Sequence, residues 1–561
     1  MPIQIRGVPT SDDAFVVWHS PDPINDCVGF QLVRRRNGGE PETVRNRVTF
    51  SSNGADPTHP SSSETSPIRR YAWTDHEPNA GDRVSYQVIP VIQSGESKPA
   101  PNPALASPFS DEVTLTGEAG GNIECYFNRG FVISQFMSHM LEGDLSAASL
   151  RTFKKSLNAD KENEIRIFLS GDLRDRMFQL LDGATEGQGH VFAALFELSD
   201  EVLIQKLEAL GTHAHIVLSN GAHDSAADDQ NKDARDRLNA AHCEVSDRLL
   251  PAKVLGHNKF MVVTDGSRHP LLVWTGSTNW SPTGLCTQIN NGILVNDAIV
   301  AKSYLDQWEV LRAAGSTANK ALAESNSTVR VASIGDTKVD TWFTRTTAAQ
   351  EMAEVEDLIH EAKEGILFLM FQPGSSSLLT AIVAREDDSE PPLYIKGVVS
   401  TLDSQETDEA GVTLVRRGEH KSHKFQIVQP QGLHSIGNWA AEVSRQTFLN
   451  QIGFAIVHSK VIVMDPFGEH PVVVTGSHNF SAAATSRNDE NMIIVKGNAG
   501  LAKTYAAHIQ AVYDHYEFRA VAAALQKKKQ DVTAFFKDTK SWQQSWFKGP
   551  RALELAFWLE T

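Results

Sequence analysis

Two short runs hold the residues best suited to chemistry: Gly256-His257-Asn258-Lys259-Phe260-Met261-Val262-Val263 and Val457-His458-Ser459-Lys460-Val461-Ile462-Val463-Met464. Each leads into a second shared signature, Thr275-Gly276-Ser277-Thr278-Asn279-Trp280-Ser281 and Thr475-Gly476-Ser477-His478-Asn479-Phe480-Ser481. The offset from His to Asn is 22 positions in one copy and 21 in the other, and the copies start 201 residues apart. Residues two apart on a strand share a face, so the His and Lys of each copy project together. A second strand ending at Gly-Ser-x-Asn can bring its Asn beside them. Two such half-sites facing each other make a phosphate site. Lys259, Lys460, Asn279 and Asn479 would hold the nonbridging oxygens and offset the charge that develops in phosphoryl transfer. One neutral imidazole attacks phosphorus in line to form a phosphohistidine, and the second, protonated, gives its proton to the leaving oxygen. With a reference pKa of about 6.5, both protonation states are accessible near neutral pH. The arrangement requires no metal and no cofactor.

Such a duplicated site needs strands to present it. From about residue 120 the pattern alternates strand with helix: Glu164 to Ser170, Val191 to Phe196 and Ala214 to Ser219 are short apolar runs, and Asp200 to Leu210 has helical spacing. The alternation restarts after about residue 328, with a helix expected over Ala348 to Lys363 and strands at Gly365 to Phe371 and Leu393 to Val399. Residues 1 to about 115 read differently, as short strands (Ala14 to Trp18, Gly29 to Arg35, Arg70 to Thr74, Arg83 to Ile92) with a Pro/Ser/Gly-rich loop from Ser51 to Pro67. That is an all-β sandwich signature. Trp18, Gly29-Phe30-Gln31-Leu32 and Ala80-Gly81-Asp82 with Tyr86-Gln87-Val88 resemble the fibronectin type III pattern. A spacer or packing module is the expected role, ahead of substrate or partner binding, and Lys98 to Ser110 reads as the linker out of it.

The paired His-x-Lys and Gly-Ser-x-Asn motifs resemble those of the phospholipase D superfamily, over roughly residues 120 to 520. The resemblance implies two pseudo-twofold-related α/β/α domains with mixed central sheets. The expected division is therefore 1–116 sandwich, 117–325 first catalytic domain, 326–525 second catalytic domain, and a 526–561 tail packed on the catalytic body. The family motif also asks for an Asp five residues after the Lys, mostly as structural support. Asp465 satisfies it in the second copy, whereas the first copy has Thr264 there, with Asp265 one residue later. A one-residue bulge could restore Asp265. Ser277 and Ser477 are supporting members of the same motifs. Eleven residues after Asn479 stands Glu490, and eleven after Asn279 stands Asn290. In the superfamily an acidic residue at this place orients a catalytic His, often that of the opposite half. The expectation is that Glu490 supports His257 as nucleophile and Asn290 supports His458 as general acid, because a carboxylate stabilises imidazolium and a carboxamide only orients.

Composition narrows the function. The 561 residues are 41% apolar and 22% charged, so the chain folds, and 52 Lys plus Arg against 69 Asp plus Glu give a formal charge of −17. Such a field repels polyanions and argues against a dedicated nuclease. Four widely spaced cysteines (Cys27, Cys125, Cys243, Cys286) suggest neither a zinc site nor a disulfide framework. No apolar run reaches transmembrane length and no leader is evident, so a soluble protein is expected, cytoplasmic or secreted after leader removal. The basic stretch Arg416 to Lys424, followed by His434, Trp439 and Phe448, reads as a solvated surface loop, with a loop over the active site as the alternative. Lys527 to Lys529 with Phe535, Phe536, Trp542, Trp546, Phe547, Phe557 and Trp558 suit a membrane interface, but packing onto the second half is the better reading. His213 and His215 are expected to be ordinary strand residues sharing one face.

The first reading of function is a soluble, monomeric phospholipase D acting on phospholipid at a membrane or micelle surface. It would release the head-group alcohol, leave phosphatidic acid, and could pass the phosphatidyl group to another alcohol. A metal-independent nuclease is the runner-up, and a binding protein without catalysis is the third.

Overall fold

Strands buried along most of their length build the described part of the first 116 residues into two main antiparallel sheets, with a short pair at Arg45–Asn46 and Ser61–Ser62 beside them. The computed structural model describes residues 2–46, 61–95, 97–130, 163–222, 228–318, 320–371, 373, 376–388, 393–399, 412–415, 425–430, 457–527 and 542–560. Strands β1 (Gln4–Pro9), β2 (Ala14–His19) and a later strand β4 (Ala72–Asp75) form one sheet in the order β1-β2-β4. In the other, β3 (Cys27–Arg36) pairs with β5 (Arg83–Ile92). Trp18, Phe30, Tyr71 and Tyr86 are fully buried between them. The Lys98 to Ser110 stretch, expected to be a linker, belongs to this region. Ala100–Pro101 and Val113–Thr114 pair with β5, and the hydroxyls of Ser107 and Ser110 accept from the Val88 and Tyr86 amides at 3.0 and 3.1 Å. Its prolines are tolerated because an edge strand can leave an N–H position unused.

In the first α/β half, β6 (Ile123–Phe127) is followed by α1 (Glu164–Glu186), β7 (His190–Leu195), α2 (Glu201–Leu210), β8 (Ala214–Ser219), β9 (Glu244–Arg248), β10 (Lys259–Thr264), β11 (Pro270–Gly276), β12 (Asn291–Val295) and α3 (Ala298–Ala314). The sheet order is β6-β12-β11-β10-β7-β8-β9, parallel at β7-β8-β9 and antiparallel elsewhere. The segment Glu164 to Ser170, expected as a strand, is the start of α1. The Asn163 side chain caps it by accepting from the Ile165 and Arg166 amides, and the Arg166 guanidinium holds Asp200 at 2.6 Å with both side chains fully buried. Cap and buried ion pair override a local alternation that favoured extended chain.

The second half repeats the plan with β13 (Arg330–Ile334), β14 (Thr337–Phe343), α4 (Gln350–Glu361), β15 (Gly365–Met370), β16 (Tyr394–Val399), β17 (Val412–Val415), β18 (Phe425–Pro430), β19 (Val461–Met464), β20 (Val472–Gly476), β21 (Asn491–Lys496) and the long helix α5 (Ala499–Lys527). Its order, β13-β14-β21-β20-β19-β15-β16-β18-β17, contains that of the first half strand for strand. The halves meet reciprocally. Thr275 donates to Asn491 Oδ1 at 2.6 Å, and Asn291 Nδ2 donates to Thr475 at 2.9 Å. Isologous contact of this kind is what two like surfaces make when each faces the other.

The tail divides its aromatics between two partners instead of packing on the second half alone. Within α6 (Pro550–Leu559), Phe557 stacks on Tyr394 at 4.3 Å, whereas Trp558 meets Phe15 of β2 at 4.5 Å. Trp542 donates to the Cys27 carbonyl at 2.9 Å and stacks on Tyr71, as Gln543 holds Ile24 through both backbone polar groups. The N-terminal sheets offer these rings a second apolar face that the sequence of the tail alone does not reveal. No helix among the described residues is long and apolar enough to cross a membrane. The stretch 416–424, His434, Trp439, Phe448, Phe535 and Phe536 lie outside the described residues.

Candidate active site

The Gly-Ser turns show why the local sequence is what it is. Gly276 and Gly476 have φ of 144° and 140°, and a Cβ at either would stand 2.3 or 2.4 Å from the carbonyl oxygen of Asn291 or Asn491. Only glycine fits there. The next residue, Ser277 or Ser477, donates its amide to that carbonyl at 3.1 or 3.0 Å, while its hydroxyl accepts from the amide of Asn291 or Asn491 at 3.0 Å. Two residues beyond Asn279 and Asn479, Ser281 and Ser481 cap the short helices Pro282–Cys286 and Ala482–Ser486 in the same way. Each Asn is therefore fixed between a strand end and a helix start.

His257 and His458 stand just before β10 and β19. Their partners come from the opposite half. His257 Nδ1 is 2.7 Å from Glu490 Oε2, and His458 Nδ1 is 2.8 Å from Asn290 Oδ1. Backbone contacts seat each exchange: the His458 amide donates to Ile289 O at 3.0 Å, and the Asp489 amide to Leu255 O at 2.8 Å. Asn290 has its amide direction set, since Nδ2 donates to Gly284 O at 2.8 Å and Oδ1 accepts from Ser277 at 2.8 Å. Oδ1 must then accept a hydrogen bond from His458 Nδ1–H, which in the neutral ring leaves Nε2 as the unprotonated nitrogen. An ionised Glu490 imposes the same tautomer on His257.

Lys259 and Lys460 each donate to the backbone carbonyl of the His two residues earlier, Lys259 at 2.7 Å. Both ammonium groups depress both imidazoles, so all four lie within electrostatic reach of one another. Burial is the dominant cause throughout. It pushes His257 and His458 well below the ordinary imidazole value, with the two lysines adding to it. It pushes Lys259 down to about 7 against the opposing carboxylates of Glu490 and Glu197, and Lys460 well below its usual range. It pushes Glu490 up to about 7 against the pull of Lys259. Desolvation drives every group toward neutrality, and an arriving anion reverses it for the cations.

The crossed pairs join His257 to Glu490 and His458 to Asn290, the two lysines act on both imidazoles, and Asn279 meets Glu197, which acts on the lysines in turn. Asp465 stands elsewhere, at the far end of β19. Its carboxylate accepts from the Lys363, Glu364 and Gly365 amides at 2.8, 2.7 and 3.0 Å. Asp265 does not take the corresponding place. Pairing puts Thr264 opposite His190 at the start of β7, as Asp465 meets Gly365 at the start of β15, and the bulge between Val263 and Thr264 lies in the pairing with β11. Asp265 sits on the partly exposed turn beyond, accepting from the Ser267 and His269 amides at 2.8 and 2.9 Å. The bulge fails to restore it because register with β7 is set by the buried side chains of β10. His215 is a packed strand residue as expected, whereas His213 is not on the strand. His213 lies in a single-turn helix, Gly211–His213, stacked on His190 at 4.3 Å, and His215 in β8 holds His190 Nδ1 at 2.9 Å and Glu244 at 2.6 Å.

Sequence reasoning passed over the site's walls. Phe196 packs against His257 at 4.6 Å and under the Lys259 ammonium at 4.7 Å, and Phe371 does the same for His458 and Lys460 at 4.7 and 4.9 Å. A cation over a ring face retains part of the stabilisation that burial removes. The signal was present as the matching runs Leu195-Phe196-Glu197 and Met370-Phe371-Gln372, each at the end of a central strand. Asn128 was also missed. It donates to the carbonyls of Gly284, Leu285 and Gln288 and accepts from the Asn290 amide, which braces the turn bearing Asn290.

Residues 355–513, which include His458, Lys460, Asn479 and Glu490, match a family model described as a cardiolipin synthase, PLD-like domain. No curated protein matches the chain. Among solved structures, the chain is similar to polyphosphate kinase from Porphyromonas gingivalis (11% identity, TM-score 0.36, 57% of this chain and 45% of that one). It is also similar to phosphatidylserine synthase of Haemophilus influenzae Rd KW20 (10%, TM-score 0.41, 64% and 91%). A third likeness is to Nuc, a phospholipase D family member from Salmonella typhimurium (21%, TM-score 0.20, 32% and 96%). The match identifies a PLD-like domain within residues 355–513, in the second half.

Proposed function

We propose that the chain cleaves phosphodiesters of glycerophospholipids through a phosphohistidine on His257, its two catalytic halves related by a pseudo-twofold axis. The crossed pairs, His257 with Glu490 and His458 with Asn290, carry this reading. In the first step His257 Nε2 bonds to phosphorus as the bond to the leaving oxygen breaks, and the Nε2 proton of His458 passes to that oxygen. The attacking imidazole, already bearing a proton on Nδ1, becomes positive, and Glu490 offsets that charge. In the second step His458 takes a proton from water, the water oxygen bonds to phosphorus, and the phosphorus–nitrogen bond breaks. Asn290 holds His458 without adding charge, so the imidazolium gives up its proton readily. Lys259, Lys460, Asn279 and Asn479 surround the nonbridging oxygens.

Lipid is favoured over nucleic acid by the described match to a cardiolipin synthase domain and by the formal charge of −17. Products are the head-group alcohol and phosphatidic acid, or a new phosphatidyl ester when an alcohol replaces water. Both half-sites lie on one chain, so a monomer suffices. The purified protein is incubated without added metal with phosphatidylcholine vesicles and with single- and double-stranded DNA. Release of choline with phosphatidic acid is expected. DNA cleavage with no lipid product would replace this reading by the nuclease.

A further inference from the structure

One carboxylate at the site has no part in the scheme above. Glu197 follows Phe196 at the end of β7, half-buried, and its Oε2 accepts from Asn279 Nδ2 at 2.9 Å. Its backbone is fastened to the same place. Glu197 O accepts from the Trp280 amide at 3.1 Å, and the Ser199 and Asp200 amides donate to Trp280 O at 2.9 and 3.0 Å. Leu198 donates to Asn231 Oδ1 at 3.0 Å. Main chain and side chain thus bracket Asn279 from one rigid strap.

We propose that Glu197 is a positioning residue of the phosphate site, fixing the Asn279 amide so that its second N–H faces the phosphoryl oxygens and placing a negative charge beside the two lysines. This rests on the phosphoryl-transfer reading of the site. An ionised carboxylate only accepts, so the Asn279 atom beside it must be nitrogen. Nδ2 carries two hydrogens. With one committed to Glu197, the other projects away from the strap. The remaining amide atom, Asn279 Oδ1, is buried and makes no hydrogen bond among the described residues. A flipped amide would put that acceptor against the carboxylate and the phosphate would lose a donor.

The electrostatic part follows from the company Glu197 keeps. The charged and titratable groups around each lysine are His257, His458, the other lysine and the carboxylates of Glu490 and Glu197, and both carboxylates oppose the loss of the lysine protons. Glu490 is engaged with His257, and Glu197, held at Asn279, adds a second counter-charge.

The test compares Glu197→Gln, which keeps an acceptor and removes the charge, with Glu197→Asp, which keeps the charge and withdraws the reach. Binding of inorganic phosphate is titrated calorimetrically from pH 6 to 9, beside KM and kcat for the phosphodiester. Glu197→Gln is expected to weaken phosphate binding roughly tenfold, the scale of one charge-assisted hydrogen bond, to raise KM, and to bring the alkaline loss of binding to lower pH. Glu197→Asp should restore the alkaline limb but not the affinity. Wild-type affinity and an unmoved limb in Glu197→Gln would overturn the proposal. If the wild type binds phosphate as described yet cleaves no phosphodiester, the catalytic reading fails and the positioning role stands. If it cleaves and both variants match it, the positioning role alone fails.

Discussion

The two half-sites share what an anion needs and differ in what a reaction needs. Imidazole, ammonium, carboxamide and flanking ring recur in both, His257 with Lys259, Asn279 and Phe196, His458 with Lys460, Asn479 and Phe371. A tetrahedral phosphoryl group presents similar faces to either side, so duplicated ligands serve it. Nucleophile and acid are not interchangeable, and there the halves part: a carboxylate stands behind His257 and a carboxamide behind His458. A carboxylate stabilises the positive charge that a nucleophilic imidazole acquires, whereas a neutral partner leaves an acid willing to lose its proton.

The sharpest way to break this comparison is to remove each imidazole and vary the leaving group. His257→Asn and His458→Asn should both lose most activity on alkyl esters, on the order of 10⁴-fold or more for the nucleophile and about 10²- to 10⁴-fold for the acid. With a nitrophenyl ester, whose leaving oxygen needs no proton, His458→Asn should recover and His257→Asn should not. Recovery of His257→Asn instead would reverse the assignment.

Next in size is the partner exchange. Glu490→Gln should lower kcat roughly 10- to 100-fold, the range of a buried hydrogen bond to a charged group. It should also move the acid limb of the pH profile to lower pH, since the carboxyl that burial raises to about 7 is gone. Asn290→Asp tests the other half. A carboxylate behind His458 holds its proton more firmly, so alkyl esters should slow about tenfold while nitrophenyl esters are untouched.

A smaller effect lies in the pH profile of the wild type. Lys259, pushed down to about 7 by burial, must carry its proton to bind phosphate. A cation with a lowered pKa loses charge as pH rises through that lowered value, so kcat/KM should fall above about pH 7 and not persist toward 10. Bound phosphate restores the preference for the charged form, so the alkaline limb of kcat should lie at higher pH than that of kcat/KM. Coincident limbs would mean that the lysines keep ordinary proton affinities in the empty site.

Much of the site was legible because its parts are tied to local rules. A strand puts His and Lys two apart on one side, and a positive-φ Gly before Ser marks the turn that delivers Asn. Glu490 and Asn290 were singled out through the family resemblance, which their equal spacing from those turns located. Phe196, Phe371 and Glu197 were not, because the ends of β7 and β15 come beside the motifs only through pairing with β10 and β19, which no local spacing encodes. The helix at Glu164 was misjudged for a like reason, its Arg166 finding Asp200 across the fold. The tail's aromatics were expected to pack, but their N-terminal partners, Tyr71 and Phe15, are over 400 residues away in sequence.

The one place where the repeat misleads is Thr264-Asp265, and it gives the smallest and most discriminating test of the two halves. Asp465 accepts three backbone N–H groups from the turn that leads into β15, groups that would otherwise be left without a partner. Asp465→Ala should therefore cost about 2–3 kcal/mol of stability, seen as a lower thermal midpoint, while kcat well below that midpoint holds. The first half does without such a carboxylate. Its place in the register is taken by Thr264, and Asp265 serves only the surface turn through Ser267 and His269. Asp265→Ala should thus leave both midpoint and kcat unchanged. A midpoint loss for Asp265→Ala equal to that of Asp465→Ala would mean that the aspartates do the same work after all, and that the halves differ less in their support than in their chemistry.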